Sequence, residues 1–410
     1  MNYKISQDIL TICLPERIDT STASDIGAEL NGICSSHPHS ELILDASATT
    51  YIASSGLRII LILAKQNRQM RVIGTQPNVF SVFDMTGFTR IVKIEKALRR
   101  IELREENLLA LGGNGAVYRL SDEEIVKVNF KPVMREELQK EIDSSQEALI
   151  CGVPTAISYD VVDCGEGRLG TVYEAIKSDN LSCLVMKCPD RFDELVDQYV
   201  SLLHTVHSNN SAPANLPKTK AVMAAHLENL RDTKLPSAKI DTLLRLLDVI
   251  PEADTLVHGD CHPKNVMMMN GELLYIDIAD ISIGHPMVDF LMYAVISRPL
   301  TGSIPEKMLE QVTGFTHDVR ERFFFQTLKR YFGYDDTRVE WLLQLLDNMG
   351  MLIMATSILH LIVKPELYEA EVGYISRYAD RLDSGLFDRL RTDLLSWAED
   401  FRCTESLSSY

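Results

Sequence analysis

Apolar positions in the first hundred residues recur in short runs of two different periods. Residues 9–14, 41–44, 71–74 and 91–94 read as strands. Between them, Ala23, Ile26, Leu30 and Ile33 share one helical face within residues 20–34, where Ser, Thr and Asp side chains are available as caps. Residues 56–65 form a helix-length apolar run preceded by Ser54 and Ser55, and 78–85 is a shorter helix. A charged, helix-competent stretch from 95 towards 104, free of Pro and Gly, leads out of this segment. Strands alternating with helices predict an α/β layered domain over residues 1–102.

A second pattern follows. Residues 108–118 read as a Gly-rich turn between strands, and 124–128 as the next strand. Residues 135–151 make a helix whose apolar face is Leu138, Ile142, Ala148 and Leu149. Two more strands, 155–162 and 170–176, are split by a Gly-containing turn. From 190 the chain turns helical: Leu195, Tyr199, Leu202, Leu203 and Val206 share a face, and 243–249 supplies another. A polar, Pro-containing loop (208–220) separates them. Helices over 306–330, 335–363 and 367–400 complete the chain. The expected divisions are 103–178, rich in strands, and 179–410, largely helical.

Composition narrows the class. The 410 residues leave room for two or three domains, and 46% hydrophobic with 24% charged residues is the balance of a folded globular chain. No stretch reaches the ~18 uncharged residues of a membrane span; the nearest, 349–363, contains His360. The N-terminal sequence carries acidic residues where a signal peptide would be apolar, so a cytoplasmic protein is expected, with no membrane partner. Eight cysteines without a CxxC pair imply thiols rather than disulfides or a zinc site. His204 and His207 have ligand-like spacing, but nothing completes a metal set, so they are read as core or surface histidines. Residues 1–100 carry 11 basic and 9 acidic side chains, so the net charge of −17 falls on the remainder. That balance argues against nucleic acid and is compatible with a cationic substrate.

The chemistry gathers between Leu256 and Phe290. His258, Gly259, Asp260, His262 and Asn265 form HGDxHxxN, and an apolar run then ends at Asp277. Phosphoryl transfer needs a carboxylate to orient an attacking hydroxyl and oxygen ligands to hold Mg²⁺ on phosphates. Asp260 is the candidate base; Asn265 and Asp277 are hard oxygen donors suited to Mg²⁺. Ile276, Asp277 and Asp280 continue as IDxxD, followed by Gly284, Pro286 and Asp289.

This run resembles the catalytic segment of the aminoglycoside phosphotransferase and choline kinase group. The resemblance implies an α+β bilobal protein-kinase-like domain with a largely helical C-lobe, using ATP and Mg²⁺ on a small-molecule hydroxyl acceptor. It implies phosphate-binding roles for Gly112 and Gly115 (Ala110 stands at the first glycine of the loop pattern) and for Lys127. Glu141, or failing it Glu137, would pair with Lys127. Glu174 and Ile176 would lie at an adenine-receiving hinge, and His258 and Asp289 would brace the catalytic loop. Substrate identity would reside near Phe323, Phe324, Tyr331 and Trp341, each of which reads equally well as core.

The first hundred residues resemble a STAS domain, the α/β anti-sigma-factor-antagonist fold. Asp45, the run Ser54-Ser55-Gly56-Leu57 and Phe83 to Phe88 carry the resemblance. It implies a protein partner and phosphorylation of Ser54, although Ala53 replaces the aspartate that usually precedes that serine. Otherwise Ser54 or Ser55 would simply N-cap the helix. Two other readings of the whole chain stay open: a protein serine kinase acting on a STAS-domain serine, and a non-catalytic nucleotide-sensing regulator.

Overall fold

The computed structural model describes residues 1–112, 115–209, 215–298, 306–357 and 365–405. They divide into two compact units, Met1–Glu102 with Val161–Gly167, and Leu103–Asp160 with Arg168–Tyr410.

The first unit begins with a hairpin, β1 (Tyr3–Ser6) and β2 (Ile9–Cys13), then a short β3 (Arg17–Ile18) and helix α1 (Ala23–Ser36). Strand β4 (Glu41–Asp45), a short β5 (Tyr51–Ile52), α2 (Ser54–Gln66), β6 (Met70–Thr75), α3 (Pro77–Met85) and β7 (Lys93–Lys96) follow. The main sheet has the order β1-β2-β4-β6-β7, antiparallel at the hairpin and parallel beyond it. Gln7 and Asp8, both at positive φ, form the two-residue hairpin turn. Parallel neighbours require crossovers, which the helices provide. Their apolar stripes (Leu30; Leu57, Ile60 and Leu63; Val79 and Phe83) bury against Leu10, Ile12, Leu42, Leu44 and Val72. Gly56 is a packing glycine: a Cβ there would lie 2.7 Å from Ile18 Cγ2 and 2.8 Å from Ile52 Cγ1.

Two expectations fail in this unit. Residues 95–104 are not a helix: β7 continues to Lys96, and β8 (Arg99–Arg100) pairs in parallel with the outer end of β12 (Ser158–Asp163). Of the charges that suggested helix, Glu95 instead reaches across the sheet to Arg71 at 3.4 Å, beside the Arg71–Glu41 pair at 2.7 Å. Nor does a serine cap α2. Ala53 occupies the N-cap, Ser54 is the exposed first helical residue, and the Ser55 hydroxyl is buried without a hydrogen-bond partner.

The second unit contains an antiparallel sheet of β9 (Leu108–Leu111), β10 (Gly115–Arg119), β11 (Glu124–Asn129) and β13 (Leu169–Glu174), ordered β13-β11-β10-β9. Helix α4 (Arg135–Ile150) buries Leu138, Ile142, Ser145 and Ala148. Leu149, expected on that face, is exposed.

A largely helical lobe follows: α5 (Leu181–Lys187), α6 (Phe192–His207), α7 (Thr219–Asn229) and α8 (Ser237–Val249). Next come β14 (Thr255–Val257), the hairpin β15 (Val266–Met269) and β16 (Glu272–Tyr275), and β17 (Ser282–Gly284). The chain closes with α9 (Met287–Ser297), α10 (Glu306–Thr313), α11 (His317–Phe332), α12 (Asp336–Ser357), α13 (Pro365–Arg381) and α14 (Phe387–Glu405). The expected α6 stripe, Leu195 to Val206, is buried in one continuous core with Phe290, Phe323 and Trp397.

The helix expected over 306–330 breaks at Gly314 (φ 75), and that over 367–400 breaks at Leu382–Leu386, where Gly385 has φ 107. Phe323, Phe324 and Tyr331 are core residues and present no acceptor surface, whereas Trp341 is half-buried under the Arg338 guanidinium at 3.7 Å. Residues 210–214 of the expected loop and 358–363 of the expected second helix lie outside the described residues. Among the described residues, no helix is long and apolar enough to cross a membrane.

Candidate active site

Strands β14 and β17 pair through Thr255↔Gly284, Leu256↔Ile283 and Val257↔Ser282, fixing both ends of the segment that carries the HGD run. Just beyond, in the first turn of α9, the fully buried Asp289 turns back towards it. Its Oδ2 accepts the His258 N–H at 2.9 Å and its Oδ1 the Gly259 N–H at 2.7 Å. Gly259 has φ 85, and a Cβ there would come within 2.8 Å of the Asp280 carbonyl, so only glycine fits. The backbone therefore leaves β14 along a fixed path, and the next side chain is Asp260.

His258 accepts the Asp260 N–H at Nδ1 (3.1 Å), which puts the proton of the neutral ring on Nε2. Burial lowers its pKa, against the opposing charges of Asp289, Asp260 and Asp277. Asn265 ends a 3-10 turn, Pro263–Asn265, and donates Nδ2 to Asp260 Oδ2 at 2.8 Å and to the Asp260 carbonyl at 3.0 Å. That leaves Asn265 Oδ1 turned away from Asp260. His262 caps the turn by accepting the Lys264 N–H, with Nε2 at 3.5 Å from Asp260 Oδ1. Burial holds this histidine down to about 4. Desolvation pushes Asp260 up to about 6; His258 opposes the rise, while Asp277 and Asp280 add to it.

Asp277 follows the β15–β16 hairpin, whose Asn270-Gly271 turn has positive φ at both residues. The Ile276 N–H donates to the Asn265 carbonyl at 2.8 Å, tying the two segments together. Asp277 itself has φ 58, a sparsely populated conformation for a residue with a side chain, which persists only where the surroundings impose it.

Lys127 projects from β11, opposite Val117 on one side and Thr171 on the other. Its Nζ lies 2.6 Å from Asp277 Oδ1 and 3.7 Å from Glu141 Oε1 on α4. Desolvation lowers the ammonium pKa, but Asp277 and Glu141 outweigh it and the net shift is upward. Thus β11, α4, the end of the β15–β16 hairpin and the β14 loop bring Lys127, Glu141, Asp277, Asp260 and Asn265 together. Glu137 makes no such contact.

At the Gly-rich turn, a Cβ on Gly115 would lie 2.5 Å from the Val128 carbonyl, so close approach of β10 to β11 alone demands glycine there. Gly112 is exposed, and its Cβ would meet only the Gly115 carbonyl at 3.5 Å, an ordinary contact. Residues 113–114 lie outside the described residues. The Glu174 carboxylate accepts the Ile157 N–H at 2.8 Å, a strut at the end of β13, and Ile176 lies half-buried just past it. Ser54 belongs to the first unit.

Two hard oxygens, Asp277 carboxylate and Asn265 Oδ1, suit Mg²⁺, which usually takes one or two protein oxygens and completes its shell with water and phosphate. Among the described residues, no group of three or more His, Cys, Asp or Glu side chains is placed to hold a metal, so a shell built by protein alone is not offered. The donor set fits a magnesium–nucleotide complex.

Several contributors were not legible in the sequence. His207 Nε2 donates to Asp289 Oδ2 at 2.9 Å while its Nδ1 accepts from the Tyr331 hydroxyl at 2.8 Å, all within the core. Tyr199 OH donates to the Cys261 carbonyl at 2.5 Å, and Tyr173 OH to Glu141 Oε1 at 2.6 Å. The HxxH spacing at 204–207 allows His207 to be read as a core histidine, which it is, but carries no sign of its partner, an aspartate 82 residues away.

A family model described as the phosphotransferase enzyme family matches residues 108–323, just over half of the chain. The chain belongs to that family. A second model, the STAS domain, matches residues 1–101, so this phosphotransferase-family chain carries an N-terminal STAS domain. Over 90 residues it is 31% identical to BtrV of Bordetella bronchiseptica, described as an anti-sigma factor antagonist, covering 21% of this chain and 77% of that one. Among solved structures, the ADP-bound aminoglycoside phosphotransferase APH(2'')-Ib is 18% identical with a TM-score of 0.43, over 72% of this chain and 96% of that one. A choline/ethanolamine kinase family protein from Mesorhizobium loti is 14% identical with a TM-score of 0.41, over 70% and 92%.

Proposed function

We propose that this protein is an ATP- and Mg²⁺-dependent phosphotransferase acting on a hydroxyl of a small molecule, with its STAS domain as a regulatory or partner-binding module. The observation that carries the reading is the meeting of Lys127 with Asp277 and Glu141 beside the Asp260–Asn265 pair. Asp260 orients the acceptor hydroxyl and draws off its proton, a role suited to a carboxylate pushed up to about 6. Asn265 and Asp277 hold Mg²⁺; Lys127 and the turn at Gly112 and Gly115 hold the phosphates. Main chain near Glu174 and Ile176 receives the base. His258 and Asp289 keep the loop in place. MgATP supplies the phosphoryl group when bound, in the cytoplasm, where we place the protein.

The test is a thermal-shift screen with MgATP followed by labelled-ATP assays on aminoglycosides, choline-like alcohols and sugars. Nucleotide at ~100 times its dissociation constant stabilises by about 2.7 kcal/mol. No shift with MgATP and no transfer to any alcohol would count against the reading.

A second reading has its own observation. Ser54 is exposed in the first turn of α2, and Ala53 at the N-cap offers no side-chain acceptor to the open N–H groups. A phosphate on Ser54 would meet those groups and the positive end of the helix. Label appearing on the protein itself with no alcohol added, and lost in Ser54→Ala, would favour a STAS-domain serine as the acceptor.

A further inference from the structure

The shorter contact of Lys127 is with Asp277, at 2.6 Å, and its longer one is with Glu141, at 3.7 Å. Asp277 is also the residue assigned to Mg²⁺ above, and a cation held there would compete with Lys127 for its carboxylate. Glu141 is then the carboxylate left to balance Lys127. A glutamate on a helix has three side-chain torsions, and holding them still costs side-chain entropy. Something other than Lys127 must fix it.

Tyr173 does so. Thr171 stands directly across from Lys127 in the β11–β13 pair, and Tyr173, two residues along β13, shares its face. The Tyr173 hydroxyl donates to Glu141 Oε1 at 2.6 Å, the oxygen that also faces Lys127. Ring packing alone would be served by phenylalanine; the hydroxyl adds a short bond to a carboxylate that is only 16% exposed.

We propose that Tyr173 is a positioning residue, fixing the Glu141 carboxylate so that Lys127 keeps a set counter-charge if Asp277 is engaged by a cation. This rests on the phosphotransferase reading of the cleft.

The experiment is a double-mutant cycle on the full chain, with ADP and Mg²⁺ titrated against wild type, Tyr173→Phe, Glu141→Ala and the double variant. Tyr173→Phe is expected to weaken ADP about tenfold in the wild-type background and by less than about twofold where Glu141 is already gone. Equal losses in both backgrounds, or none in the first, overturn the assignment; a residue that only packs would give equal losses. Wild type that binds no ADP would strike the phosphotransferase reading instead. The bond itself is then read without nucleotide by amide hydrogen exchange, in which Tyr173→Phe should speed exchange in the middle of α4, and unchanged protection overturns it. Glu141→Ala cuts the same bond from the other side and serves if Tyr173→Phe gives no folded protein.

Discussion

His207 Nε2 and Asp289 Oδ2 meet at 2.9 Å with both side chains almost fully buried, 2% and 1% exposed. The aspartate in turn holds the His258 and Gly259 N–H groups, so a residue of α6 steadies the loop presenting Asp260. His207→Ala removes one of three donors from a buried carboxylate, and losing a hydrogen bond to a charged group costs about 1.5–3 kcal/mol. Tyr331→Phe removes only the hydroxyl that reaches the far side of the same ring, and about 1 kcal/mol is expected. Urea unfolding of the two variants checks the ranking; equal losses would mean that the bond to Asp289 adds nothing to stability.

The same aspartate sets a pH dependence. Burial raises its pKa, but the hydrogen bonds from the His207 ring and the His258 N–H outweigh it and the net shift is downward. A carboxylate lowered on folding contributes stability that is complete above its unfolded value of about 3.9 and is lost as pH falls through the lower folded value. Wild type should therefore lose stability below about pH 4 more steeply than Asp289→Asn, which is weaker at neutral pH but flatter in acid. Denaturant midpoints between pH 3 and 7 give the two slopes, and parallel curves would remove Asp289 from this role.

What the sequence made legible was local. HGDxHxxN and IDxxD name side chains whose spacing within one loop and hairpin sets their meeting, and Lys127 lies in a strand with a plain apolar pattern. Glu141 could be chosen from its distance along the helix to the Gly152-Val153-Pro154 turn. His207 could not be assigned, since its partner lies on another helix and no periodicity encodes that contact. The stretch 95–104 misled because helix-competent charges are equally at home bridging strands, as Arg71 and Glu95 show. The breaks at Gly314 and Gly385 were passed over because the apolar period continues through both, and only the backbone conformation reports the turn. Phe323, Phe324 and Tyr331 look alike in sequence whether they line a pocket or fill a core.

The two glycines of the phosphate-loop pattern should part company on substitution. Gly115→Ala drives a Cβ to 2.5 Å from the Val128 carbonyl, a backbone atom that cannot yield without spreading β10 from β11. A loss of about 1–3 kcal/mol is expected. Gly112→Ala has room, 3.5 Å to its nearest neighbour, and should keep the melting temperature within a degree or two (about 0.5 kcal/mol) while weakening nucleotide binding. Thermal melts with and without MgADP separate the two effects. A Gly112→Ala protein that binds as wild type would withdraw the phosphate role from that glycine.

Asp260 and Asp277 are both exposed enough to tolerate an amide, yet their replacements should fail differently. Asp260→Asn keeps a carbonyl oxygen able to accept from Asn265 Nδ2, so the loop and nucleotide binding should survive. Turnover should fall by about 10²–10⁴, the usual range for loss of a general base. Asp277→Asn removes the nearest counter-charge of Lys127 together with a magnesium ligand. ADP should then bind about equally with and without Mg²⁺, whereas in wild type the metal should strengthen binding. Calorimetric titrations with and without the metal read this, alongside steady-state rates on whichever alcohol the screen supplies. Turnover in Asp260→Asn within about tenfold of wild type would reassign the base, since that loss is no greater than removing one ordinary hydrogen bond to a charged group can produce.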